Sequence, residues 1–147
     1  AYMLNLGLES LHVRMARHCE NAQAVAEFLA AHPKIAYVNY CGLPGDKYHA
    51  LAEKYLPNGS CGVVSFGVKG GRAAAASFMG HLKVAAIETH VADARTCCLH
   101  PASSTHRQMN DEQLLAAGVM PDLVRMSCGL EDKQDLINDI AQALDQI

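Results

Sequence analysis

The segment Cys61 to Val68 restricts the possible folds more than any other. Apart from Ser65 it holds only apolar residues and glycine, so neither of its faces suits water. A strand of that kind belongs in the interior of a sheet. Gly70-Gly71 breaks it, and the alanine-rich run Arg72 to His81 continues as a helix. A fold for this chain must therefore pair this strand on both edges and bring helices against it.

The flanking sequence supplies those elements. Leu8, Leu11, Met15, Cys19, Ala22, Val25 and Leu29 form one apolar stripe of a long helix, with Glu9, Arg14, Arg17, Glu20, Gln23 and Glu27 opposite. Pro33 stops it. Ile35 to Tyr40 reads as a strand, Gly42-Leu-Pro44-Gly45 as a turn, and Lys47 to Leu56 as a short helix closed by Pro57-Asn-Gly59. Val84 to Ile87 and Thr96 to His100 are short extended segments. Asn110-Asp-Glu-Gln113 has the form of a capping box, and Gly118 suits a left-handed helix stop. Leu123 to Cys128 is a strand. A terminal helix opens near Asp132, striped by Leu136, Ile137, Ile140, Ala143, Leu144 and Ile147. This alternation predicts a small α/β sandwich with its sheet covered largely on one face.

Size and charge narrow the function. A chain of 147 residues suits one domain, with a radius of gyration near ~15 Å. With 50% hydrophobic and 18% charged residues it is not disordered. A net charge of −3 carries no electrostatic footprint for nucleic acid or an anionic membrane. No uncharged stretch is long enough to span a bilayer, and no secretory signal is visible. The six cysteines lie in apolar runs such as Thr96-Cys97-Cys98-Leu99, which reads as reduced thiols in a cytoplasmic protein. There is no Cys-x-x-Cys, and the spacing of His100 and His106 matches no helical metal pair, so no metal site is expected.

Four segments could carry chemistry. Lys69-Gly70-Gly71-Arg72 could hold an anion on exposed N–H groups, but it lacks any fuller phosphate-loop signature and reads as a plain strand-to-helix turn. Cys97 or Cys98 with a nearby histidine could form a thiol nucleophile, although adjacent strand residues face opposite ways. The loop Pro101-Ala-Ser-Ser-Thr-His106 lies off a strand end, where ligand loops occur, and reads equally as a polar turn. Arg125 is the sharpest residue. It lies inside Leu123-Val-Arg-Met-Ser-Cys128, where an unpaired charge is costly. It either pairs internally, reaches water, or binds a carboxylate with its planar fork.

Phrases along the whole chain resemble one family. They are Gly7-Leu-Glu-Ser-Leu-His-Val-Arg-Met15 with Arg17-His-Cys-Glu-Asn21, Tyr55-Leu-Pro57 with Gly62-Val-Val-Ser-Phe-Gly67, His90-Val-Ala-Asp-Ala-Arg95, His100-Pro-Ala-Ser-Ser-Thr-His106, and Val124-Arg-Met-Ser-Cys-Gly-Leu-Glu131. The chain is similar to the C-terminal part of the pyridoxal-phosphate enzymes of cysteine and methionine metabolism. The stretch from Asp93 through Gln108 favours the sulfhydrylase branch.

That resemblance implies the small C-terminal domain of a fold-type I transferase, with a mainly antiparallel sheet covered by helices on one face. Residues 1–147 would form this single domain, and residues 1–15 would begin a long helix leading from a large cofactor-binding domain. The implied reaction replaces the acetate of O-acetylhomoserine with sulfide or methanethiol, giving homocysteine or methionine, with pyridoxal 5'-phosphate as electron sink. Arg125 occupies the position of the arginine that grips the substrate carboxylate. Thr96 stands where the family usually has serine, near the same carboxylate, and Ser103, Ser104 and Thr105 stand close to the substrate pocket. Glu88 and Cys128 depart from the family, at positions where apolar residues are expected. None of the six lysines lies in a Ser/Thr-rich segment like the one that carries the family's cofactor lysine. The resemblance therefore implies a fragment that binds no cofactor and is inactive alone, with no catalytic residue of its own. It also implies a cytoplasmic, homotetrameric enzyme with a small-molecule substrate. Cystathionine gamma-synthase and methionine gamma-lyase of the same family are alternatives. A non-enzymatic α/β binding module, with Arg125 as an internal ion pair, is another.

Overall fold

The computed structural model describes residues 1–147. Its elements run α1 (Tyr2–Glu9), α2 (Leu11–Ala31), β1 (Ile35–Asn39), α3 (His49–Tyr55), β2 (Val63–Val68), α4 (Gly71–His81), β3 (Ala86–Ile87), β4 (Cys97–Leu99), α5 (Asp111–Ala116), β5 (Leu123–Ser127) and α6 (Lys133–Asp145), with a 3-10 turn at Pro101–Ser103. No helix is long and apolar enough to cross a membrane.

The five strands form one sheet in the order β1-β2-β5-β4-β3. Only β3 and β4 pair in parallel; the other pairings are antiparallel. β2 has neighbours on both edges, as its apolar run demands. In its register with β5, Val64 lies opposite Met126 and Phe66 opposite Val124. These four side chains, with Val68 and Cys98, are fully buried on one face. α2 and α4 cover that face, and α6 packs against both through Leu136, Ile140 and Leu144. Phe66 meets Phe78 of α4 edge to face, with ring centroids 5.8 Å apart. That geometry adds about 1 kcal/mol beyond the area buried.

Two expectations need correction. β2 is not covered on both faces: Val63 and Ser65 are only half-buried, on a face that no helix covers. The long N-terminal helix is also interrupted. Ser10 leaves helical geometry (φ −103°, ψ 3°) and separates α1 from α2. The Arg14 side chain reaches back across this joint to the Gly7 carbonyl and the Ser10 hydroxyl. The apolar stripe is buried only from Ala22 onward; Leu8 remains 61% exposed, and nothing in α1 is buried.

The helix ends follow their local chemistry. The capping box at α5 is complete, with Asn110 accepting from the Gln113 N–H and Gln113 from the Asn110 N–H. The same helix ends in a Schellman arrangement. Gly118 takes φ +75°, while the Val119 and Gly118 N–H groups donate to the Leu114 and Leu115 carbonyls. One clasp has no sequence signature. Asp139, buried in α6, accepts from the backbone N–H groups of Lys83, Val84 and Ala85 at 2.8–3.0 Å, and so satisfies the chain as it leaves α4.

Candidate functional site

The uncovered face of the sheet carries Arg125, because side chains alternate along β5 and its neighbours Val124 and Met126 point into the core. Arg125 lies opposite Ser65 on β2 and Leu99 on β4. It opens into a cleft of about 540 Å³ walled by Val63, Leu99, Pro101 and Leu123, with Ser65, Thr89, Thr105 and His106 as polar groups. The guanidinium donates from Nη2 to the Thr89 carbonyl at 2.8 Å. Its Nε is buried and has no partner. None of the ion pairs in the chain involves Arg125. An apolar-walled cleft with a fixed cation and an orphaned donor is suited to an anion, because leaving such a donor unmet costs about 1–3 kcal/mol.

The structure separates the other expected site residues. The hydroxyl of Thr96 does not reach the cleft. It is fully buried, donates to the Glu131 carboxylate at 2.9 Å and accepts from the Gly129 N–H at 2.8 Å. The Thr96 N–H also donates to Glu131. Thr96 lies one residue before β4 and belongs to a clasp between that strand and the turn after β5. Gly129 completes the clasp, since a Cβ there would collide with the backbone of Ala94 and Arg95.

The loop after β4 divides in two. Ser104 is exposed and donates back to the His100 carbonyl at 2.6 Å. Ser103 Oγ lies 2.9 Å from His100 Nδ1, and His100 Nε2 lies 2.9 Å from the Pro121 carbonyl. His100 therefore has its Nε2–H on Pro121, and its Nδ1 accepts from Ser103. Of the three hydroxyls in this loop, only Thr105 lines the cleft, beside His106, whose Nδ1 is 2.9 Å from it. Sequence reasoning missed Ser65 and Thr89 as cleft residues, and reached His106 only as the end of the candidate loop. Ser65, the lone polar side chain in an apolar strand, was the available signal.

The remaining candidates resolve structurally. Arg72 binds Asp111 and the Ala102 and Met109 carbonyls, tying α4 to the loop, so the glycine pair beside it serves a turn. All six cysteines are free thiols. Cys98 faces the core, where burial pushes its thiol well above the usual range, the opposite of what a nucleophile needs. Cys97 faces the other way, under the segment that joins β3 to β4, and burial raises it too.

The chain belongs to the Cys/Met metabolism PLP-dependent enzymes, whose family model matches residues 1–145. It is 45% identical to the homocysteine synthase of Schizosaccharomyces pombe and 43% identical to the O-acetyl-L-homoserine sulfhydrylase of Leptospira meyeri, over 98% and 100% of this chain. It is 40% identical to the L-methionine gamma-lyase of Treponema denticola over its whole length. Each alignment covers only 34–36% of the relative, so the chain spans about a third of their length. A putative O-acetylhomoserine (thiol)-lyase of Campylobacter jejuni, solved with N'-pyridoxyl-lysine-5'-monophosphate, superposes with a TM-score of 0.87 and 38% identity. That match covers 95% of this chain and 33% of the other.

The cleft residues fit one part of the family's chemistry. They offer a fixed cation for a carboxylate, but no lysine lines the cleft to bind an aldehyde cofactor.

Proposed function

We propose that the chain is the substrate-gripping small domain of an enzyme that exchanges the acetate of O-acetylhomoserine for sulfide or methanethiol. Homology to a homocysteine synthase and to an O-acetyl-L-homoserine sulfhydrylase supports the reaction class. The observation that carries the role of this chain is Arg125, a buried-edge guanidinium with no acidic partner in an open cleft.

In this reading Arg125 takes the α-carboxylate of the amino acid as a charge-assisted pair. Its anchor on the Thr89 carbonyl sets the plane of the fork between the apolar walls of Val63, Leu99 and Leu123. The cofactor, held by residues outside this chain, supplies the electron sink for breaking bonds at the amino acid's carbons. By fixing the carboxylate, Arg125 would orient the bonds at Cα, so the contribution of this chain is positioning. Thr96, Glu131 and Gly129 keep β4 and β5 in register beneath the grip.

The test is kinetic, on the complete enzyme. Arg125→Ala should lower kcat/KM for O-acetylhomoserine by about 30–1,000-fold, equivalent to 2–4 kcal/mol, mostly through KM, with Arg125→Lys recovering only part. Unchanged kinetics would refute the carboxylate role. The same preparation offered methionine alone should release little methanethiol. Efficient release would favour the lyase reading that the Treponema relative supports.

A further inference from the structure

We propose that Glu88, His90 and Cys97, with Asp93 near enough to His90 to be drawn in as a fourth ligand, form a binding site for a divalent cation of the zinc class. One ligand atom from each of Glu88, His90 and Cys97 lies within 4.8 Å of the others. His90 Nδ1 stands 2.8 Å from Glu88 Oε2 and 3.8 Å from Asp93 Oδ2.

The fold brings these residues together. β3 pairs in parallel with β4, placing Ala86 opposite Cys97. Glu88, two residues on from Ala86, therefore projects to the same face as Cys97. The connecting segment then turns back through Ala92, whose φ of +60° makes it the one non-glycine residue in the left-handed region. The Ala92 N–H is fastened to the Ser127 hydroxyl at 3.0 Å. This turn returns Asp93 to His90.

The chemistry suits zinc better than magnesium or calcium. Sulfur, imidazole and carboxylate form a mixed donor set, which hard cations do not favour. Tetrahedral zinc holds such ligand atoms about 3.4–3.6 Å apart, so contacts of up to 4.8 Å must close by at most roughly 1.4 Å, while the 2.8 Å Glu88–His90 contact must open by roughly 0.6 Å. His90 and Glu88 can supply that by side-chain rotation, since both reach solvent. The charges are also unbalanced. Two carboxylates, with the neutral Cys97 thiol beside them, are faced by one permanent cation, the exposed Arg95, at 3.3 Å from Glu88 and 3.7 Å from Asp93. On coordination Cys97 releases its proton to solvent, and the metal takes over the charge that burial and the neighbouring carboxylates otherwise oppose. A bound cation would staple the segment between β3 and β4. That segment includes Thr89, which anchors Arg125, but the site stands whether or not Arg125 binds a carboxylate.

The test uses the intact protein, stripped of metal with a chelator and dialysed against micromolar zinc. Zinc is counted per chain, and its ligands are read by zinc-edge X-ray absorption. The expected result is one zinc per chain with one sulfur neighbour at ~2.3 Å. Cys97→Ser and His90→Ala should each weaken binding by at least the ~10–100-fold seen when metal sites lose supporting groups. The double variant Glu88→Gln/His90→Ala changes only solvent-reaching side chains and carries the test if Cys97→Ser does not fold. Failure of the wild-type protein to retain zinc, or equal retention by the variants, overturns the site.

Discussion

Arg125 and Cys128, three residues apart on or just after β5, show how one strand divides its environments. Arg125 faces the open cleft. Cys128 is fully buried at the end of the covered face, where burial, with Glu131 and Cys61 nearby, pushes its thiol up to about 12 from an ordinary 9.0. A raised folded-state value for an acid means that the unfolded chain loses its proton first. The stabilisation is therefore complete below pH 9 and is lost as pH rises towards 12. Stability should fall by up to about 1.4 kcal/mol per pH unit for this group across that window, with Cys98 adding to the slope. Urea midpoints measured from pH 8 to 10.5 should show the decline, and Cys128→Ala should flatten part of it. An identical slope in the variant would mean that the thiol stays neutral in both states.

Among the elements, α5 was readable to single residues. Asn110, Gln113 and Gly118 act through local backbone groups, so the sequence alone places the start and stop of the helix. Asn110→Ala should cost about 1 kcal/mol, measured as a lower urea midpoint and faster hydrogen exchange at the Gln113 amide. Unaltered exchange would show that the Arg72–Asp111 pair holds the helix start without the cap. The N-terminal helix was less readable. An apolar stripe specifies which face is offered, but not whether anything covers it, and α1 leaves Tyr2, Met3 and Leu4 more than three-quarters exposed. The break at Ser10 is equally silent in periodicity, because the stripe passes through it without a change of phase.

The whole molecule is one sheet with a helical face and a chemical face. Its lysines lie away from the cleft: Lys34 holds the C-terminal carbonyls, Lys69 the Pro33 carbonyl, and Lys133 pairs with Glu20. The chain mixed with equimolar pyridoxal phosphate should therefore show no imine absorbance band. A stable band, removed by substitution of one of its lysines, would mean that the cofactor can be anchored within this chain.

Helix and strand order, the paired interior strand, the caps and the family all follow from residues close together in the chain, because backbone preference and alternation are local properties. Arg125 could be singled out for the same reason: a charge in an apolar strand is visible at short range. Which groups meet that charge is decided by strands brought together from distant segments. Only the folded chain shows Thr89 beneath Arg125, Thr96 turned away onto Glu131, and Glu88 beside Cys97, since each pairing depends on the register of β3, β4 and β5 rather than on spacing along the chain.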